Sequence, residues 1–154
     1  MRPTRKRIRL DPVAYQEGGR TFSITIGTSP RLPVFRDSEF GLECISILEQ
    51  LSEETATKVF AYCLMPDHVH LLLGTPRGVL ITRFVGSFKS LCFAARKDRG
   101  NSNPFWQRSF YDHSLRKPDD LRIAAEYILN NPVREGLVAR WRDYPLCGSF
   151  EFEI

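Results

Sequence analysis

The run His68-Val69-His70-Leu71-Leu72-Leu73 is the tightest constraint on how this chain folds. It reads as a buried strand, and side chains of a strand point to alternate faces. His68 and His70 therefore lie side by side on one surface, while Val69 and Leu71 face the other. Two imidazoles on a rigid ledge, with nothing else on the strand to close a cage, suit a metal that keeps positions open for a substrate. The chain has only 3 histidines, so committing two of them to this pattern is informative.

Other elements follow from the same kind of pattern. Thr21 to Gly27 alternates polar and apolar, as a half-buried strand does, and Pro30 and Pro33 end it. Asp37-Ser38-Glu39 is a helix start, followed by Phe40, Cys44, Ile47, Leu48 and Leu51 at helical spacing. Lys58 to Leu64 is a second strand, and Met65-Pro66-Asp67 turns it into the histidine strand as an antiparallel hairpin. Ile81, Phe84, Val85, Phe88, Leu91, Cys92 and Ala95 keep a clean helical period. A loop from Gly100 to Pro104 leads to a strand over 105–116. The last helix starts near Pro118-Asp119-Asp120, with Asp119 as N-cap, Leu121, Ala124, Ala125 and Ile128 buried, and Pro132 as its limit. The order strand, helix, strand, strand, helix, strand, helix predicts an α+β, ferredoxin-like fold. Its four-stranded antiparallel sheet would carry the helices on one face.

The chain reads as one domain over residues 1–154, with a basic arm over 1–12 and a C-terminal tail over 138–154. No apolar run nears the roughly 18–20 residues that span a bilayer, and the start lacks a secretory signal, so a cytoplasmic protein is expected. Cys44, Cys63 and Cys92 fall in predicted elements and read as small core residues of a reducing compartment; Cys147, in the tail, receives no role. Arg2, Arg5, Lys6, Arg7 and Arg9 supply five positives; removing them from the net +4 leaves the body near −1. A basic arm on a nearly neutral body fits either nucleic-acid contact or a solvated tail. Arg83, Lys89, Arg96 and Lys97, on the outer side of the 81–97 helix, offer either a second strip for phosphates or ordinary solvent-facing charge.

Tyr127 and Asn131 stand four apart, on one helix face with Ile123 and displaced from the buried stripe. A phenol there can point at a site. Tyrosine is a poor nucleophile by default, since only about one in a thousand is ionised at neutral pH. Attack on a phosphodiester needs a cation that neutralises the phosphate and supports the leaving group. Two histidines and an amide or carboxyl oxygen can hold Mn²⁺ or Mg²⁺ with positions left for phosphate oxygens.

Three segments carry a resemblance: Met65-Pro66-Asp67-His68-Val69-His70-Leu71-Leu72, Phe105-Trp106-Gln107-Arg108-Ser109-Phe110-Tyr111-Asp112-His113, and 127–137, Tyr-Ile-Leu-Asn-Asn-Pro-Val-Arg-Glu-Gly-Leu. In this order they resemble the REP-associated tyrosine transposases, members of the HUH single-strand endonucleases that use one tyrosine. The likeness runs from the Arg9-Leu10-Asp11-Pro12 stretch to Trp141-Arg142-Asp143-Tyr144-Pro145. It implies that His68 and His70 bind a divalent cation, Mg²⁺ or Mn²⁺, and that Asn131 completes the metal site. It further implies that Tyr127 attacks a DNA phosphate, forming a 5′-phosphotyrosine link and freeing a 3′-hydroxyl. The implied substrate is single-stranded DNA with short imperfect hairpins, bound by a monomer or by a homodimer that swaps the tyrosine helix. Arg108 joins the basic arm and the 81–97 strip as an expected DNA contact.

Other readings stay open at this point. Leu129 stands where some relatives carry an aromatic residue, and Asn131 is shorter than the glutamine of the insertion-sequence branch. Asn131 is also a plausible N-cap for a turn beginning at Pro132. Tyr111 is a rival nucleophile, sharing a strand face with Gln107 and His113. His113 is a metal ligand, a phosphate contact or a structural hydrogen-bonder, and Trp106 a core anchor or a base-stacking platform. A silent nucleic-acid-binding module of the same fold and a phosphodiesterase using water are the competing functions.

Overall fold

The computed structural model describes residues 20–116 and 120–152. Arg2, Arg5, Lys6, Arg7, Arg9 and the expected cap at Asp119 lie outside the described residues. The elements are β1 (Arg20–Thr28), α1 (Ser38–Thr55), β2 (Lys58–Met65), β3 (His68–Thr75), α2 (Ile81–Asp98), β4 (Trp106–Leu115), α3 (Asp120–Leu129), α4 (Asn131–Arg134) and β5 (Cys147–Gly148). The strands form one antiparallel sheet in the order β4-β1-β3-β2-β5. Its first four members have the expected ferredoxin-like arrangement. The histidine strand is central, hydrogen-bonded to β1 on one side and β2 on the other.

Two expectations are corrected. The sheet has 5 strands rather than four, because the tail returns to pair Cys147 with Cys63 and Gly148 with Tyr62. The tail thereby covers the β2 edge, which would otherwise offer unpaired backbone to other chains. Both backbone groups of Leu64 are taken by it: its N–H donates to Leu146 O (2.8 Å), and its carbonyl accepts from the Tyr144 hydroxyl (2.5 Å).

The helices also occupy both faces of the sheet rather than one. Val69, Leu71 and Leu73 join Phe22, Ile24 and Ile26 under α1 and α2, packed on Phe40, Leu48, Phe84 and Phe88. Leu72 points the other way and makes a second core with Ala61, Cys63 and Met65, closed by Ala125, Ile128 and Leu129 of α3. Three consecutive leucines leave apolar surface on both sides of a strand, so each side needs a cover. A register shift between Val59 and Ala61 places Phe60 beside Ala61 on the α3 side.

Local chemistry sets the helix ends. The Asp37 carboxylate accepts from Phe40 N–H (3.2 Å), capping α1 as expected. Leu91, expected in the core, is exposed. It lies about 60° around α2 from Phe88, at the margin of the stripe. Pro132 has no N–H to donate back to Ile128, so α3 stops at Leu129 while the chain runs on into α4. Asn131 is the first residue of α4, and the cap position belongs to Asn130. Cys44, Cys63 and Cys92 are buried free thiols, as read. Among the described residues no helix is long and apolar enough to cross a membrane.

Candidate active site

The strand register draws one row across the sheet: Tyr111 opposite Thr25, Thr25 opposite His70, His70 opposite Cys63, and Cys63 opposite Cys147. His68 lies two residues from His70, between Gly27 and Met65, and the two rings meet edge to face with centroids 4.7 Å apart. This is the face that α3 covers at its other end, so histidines and tyrosine helix share one side of the sheet.

Both imidazoles are held through the same nitrogen. His68 Nδ1 lies 2.7 Å from Asp67 Oδ1, and His70 Nδ1 lies 3.1 Å from Thr25 Oγ1. A carboxylate only accepts, so His68 carries its hydrogen on Nδ1 and its lone pair on Nε2. The Thr25 hydroxyl sets the same tautomer for His70 when it accepts. Partial burial pushes the Asp67 carboxyl up, but its hydrogen bond to His68 and the Arg31 guanidinium 3.6 Å away outweigh it and hold the group below the usual carboxylate range.

The histidines floor a cleft of about 320 Å³ whose wall includes Thr25, Gln107, Tyr111 and Asn131. Gln107 reaches it by lying on Gly27, where an added Cβ would come within 2.7 Å of its Oε1; the glycine makes room for the carboxamide. Asn131 is 7% exposed. Its Oδ1 accepts from Arg134 Nη2 at 3.3 Å, and its Nδ2 is buried without a partner. The Arg134 guanidinium lies 3.7 Å from the centroid of the Tyr127 ring. Tyr127 itself is 62% exposed and does not line the cleft; Arg134 spans the step from its ring to Asn131.

The donor set fits a divalent cation of open coordination and not a closed cage. No group of three or more His, Cys, Asp or Glu side chains among the described residues is arranged to hold a metal. Two oriented imidazoles, with the Asn131 carboxamide oxygen lining the same cleft, leave most positions of a six-coordinate ion to water or substrate oxygens.

The remaining sequence-derived residues divide. His113 is exposed on β4 opposite Ser23 and does not line the cleft. Trp106 packs against Phe35, Phe88 and Phe105 and donates from Nε1 to Lys89 O (3.0 Å), which makes it a core anchor. Arg108 is exposed on β4. The strip on α2 is two strips. Arg83 and Lys97 face solvent, whereas Lys89 Nζ donates to Gln107 O (2.5 Å) and Arg96 lies over the Phe105 ring. At about 100° per residue Lys89 and Arg96 fall together at the edge of the buried stripe. All four sit on the layer opposite the histidines.

Arg31 and Glu135 also line the cleft, and neither stood out in the sequence. Glu135 falls one turn after Asn131, a spacing that offered a signal. Arg31 gave none, because its place depends on the loop fold. Asp67 read only as part of a turn, although its position directly before His68 lets its carboxylate reach Nδ1.

A family profile described as "Transposase IS200 like" matches residues 21–131, from β1 through Asn131. The chain belongs to that transposase family. It is 31% identical over 120 residues to a Haemophilus influenzae protein assigned as a REP-associated tyrosine transposase, covering 71% of this chain and 68% of that one. It is 24% identical over 131 residues to the REP-associated tyrosine transposase of Escherichia coli, covering 85% and 76%. Its fold matches the solved structure of a REP-associated tyrosine transposase bound to a REP hairpin, with TM-score 0.74 and 21% identity over 93% of this chain and 82% of that one.

Proposed function

We propose that this transposase-family chain is a metal-dependent, single-strand DNA endonuclease and strand transferase acting on hairpin-forming DNA. The observation that carries the reading is the anchoring of His68 and His70 through Nδ1, on the sheet face that also carries Asn131 and the Tyr127 helix. His68, His70 and Asn131 would hold Mg²⁺ or Mn²⁺, which when bound supplies charge neutralisation for a phosphate. The Tyr127 oxygen bonds to phosphorus as the bond from phosphorus to the 3′-oxygen breaks. The phenol gives up its proton, the departing 3′-oxygen takes one up, and the products are a 5′-phosphotyrosine and a 3′-hydroxyl. Reversal of the step joins strands. Arg134, stacked on the ring, restrains the phenol against the Asn131 end of the cleft.

Tyr111 is a second reading, because it lines the cleft directly. One assay decides. Native protein incubated with Mn²⁺ and end-labelled hairpin DNA should leave a covalent adduct on a denaturing gel. Tyr127→Phe should leave none, and Tyr111→Phe should keep it. The reverse pattern transfers the role to Tyr111; cutting that survives both changes means attack by water. Tight binding without cutting by the native protein identifies a silent binding module.

A further inference from the structure

We infer that the cleft next to the histidine ledge is a nucleotide subsite in which Arg31 and Arg36 bind backbone phosphates of the unpaired strand; this rests on the nuclease reading above. The second cleft, about 390 Å³, shares Arg31, His68 and Glu135 with the first. A strand with a phosphate at the ledge therefore has a path that continues past Arg31.

The walls offer what one nucleotide needs. Arg31 and Arg36 present guanidiniums, and Pro33, Pro66 and Leu137 give apolar surface for a base. Glu135 can accept from a base amino group. Its charge disfavours phosphate on its own side and so directs the backbone toward the arginines. Among the described residues the Arg36 guanidinium makes no ion pair or hydrogen bond, and the ion pair of Arg31 with Asp67 is long, at 3.6 Å.

Arg31 is also held in an uncommon conformation, with φ at +63°. A residue with a long side chain keeps such a conformation when its surroundings fix it, often at a binding site. Here Thr28 Oγ1 reaches both Leu32 O (2.8 Å) and Asp67 O (2.9 Å), and Phe35 N–H donates to Pro66 O (3.1 Å). These bonds fasten the 28–35 loop to the turn that leads into His68.

The test is fluorescence anisotropy of a labelled single-stranded hairpin oligonucleotide in EDTA, so that cutting does not enter, between about 50 and 200 mM salt. Arg31→Gly suits the positive φ and spares the loop. Combined with Arg36→Ala it should weaken binding at least about tenfold and flatten the slope of log affinity against log salt by about 1.4, roughly 0.7 per lost phosphate. Lys58→Ala with Arg77→Ala, the same charge loss at the far end of the hairpin, should change neither. An unchanged slope in the first pair, or an equal loss in the second, overturns the subsite. Failure of the covalent-adduct assay with this salt pattern intact would sink the nuclease reading and leave the subsite standing.

Discussion

Asp67 concentrates more of the site's physics than any other side chain. Its carboxylate fixes the His68 tautomer and pairs with Arg31, so one residue links the ledge to the neighbouring loop. Removing the charge in Asp67→Asn should weaken Mn²⁺ binding about ten- to a hundredfold by isothermal titration, the usual cost of losing the partner behind a metal-binding imidazole. Acid stability should change too. The folded carboxyl titrates below its ordinary value, so its stabilising contribution is complete above about pH 4 and is lost as pH falls through the lower folded value. Melting temperatures of native protein and Asp67→Asn should thus separate above the ordinary carboxylate range and converge as pH falls below it. Equal pH dependence in the two proteins would mean that the pair contributes nothing to folding.

Among the elements, glycines on α1 and α2 make a sharp contrast. A Cβ at Gly86 meets nothing within 4 Å, whereas one at Gly41 would fall 2.5 Å from Leu146 Cδ1, a side chain only 2% exposed. Gly86→Ala should stabilise by about 0.5–1 kcal/mol through helix propensity. Gly41→Ala should lose about 1–3 kcal/mol to overpacking, less that same gain. Urea melts of the two variants should move in opposite directions. The contrast also shows what periodicity reveals and what it hides. The 3.6-residue period identified α1, α2 and α3, and alternation put His68 and His70 on one face, since these depend on residues close in sequence. Leu146 docking on Gly41, β5 beside β2, and Arg31 at the cleft depend on long-range contacts that no local pattern encodes. The sequence reading put the helices on one face and so missed the two-sided layering, although Leu71-Leu72-Leu73, which serves both cores, carried a signal for it. The candidate site was legible as two separated fragments, and the bridge between them, Arg134 from Asn131 to Tyr127, was not.

For the whole molecule, the proposed catalytic parts rest on supports of unequal strength. His68 and His70 stand on a strand flanked on both sides and buried under two helices. The helix with Tyr127 is 10 residues long, and its own buried residues are Ala125, Ile128 and Leu129. Helices this short do not persist in water alone, so their order depends on docking. Native-state hydrogen exchange should find the β3 amides opening only with global unfolding and those of α3 opening earlier, by a smaller event. Equal protection would mean that the two move as one body. With unequal protection, the proposed mechanism would run loading of the ion and arrival of the phenol on separate clocks, and a substrate that pins the helix would advance one without disturbing the other.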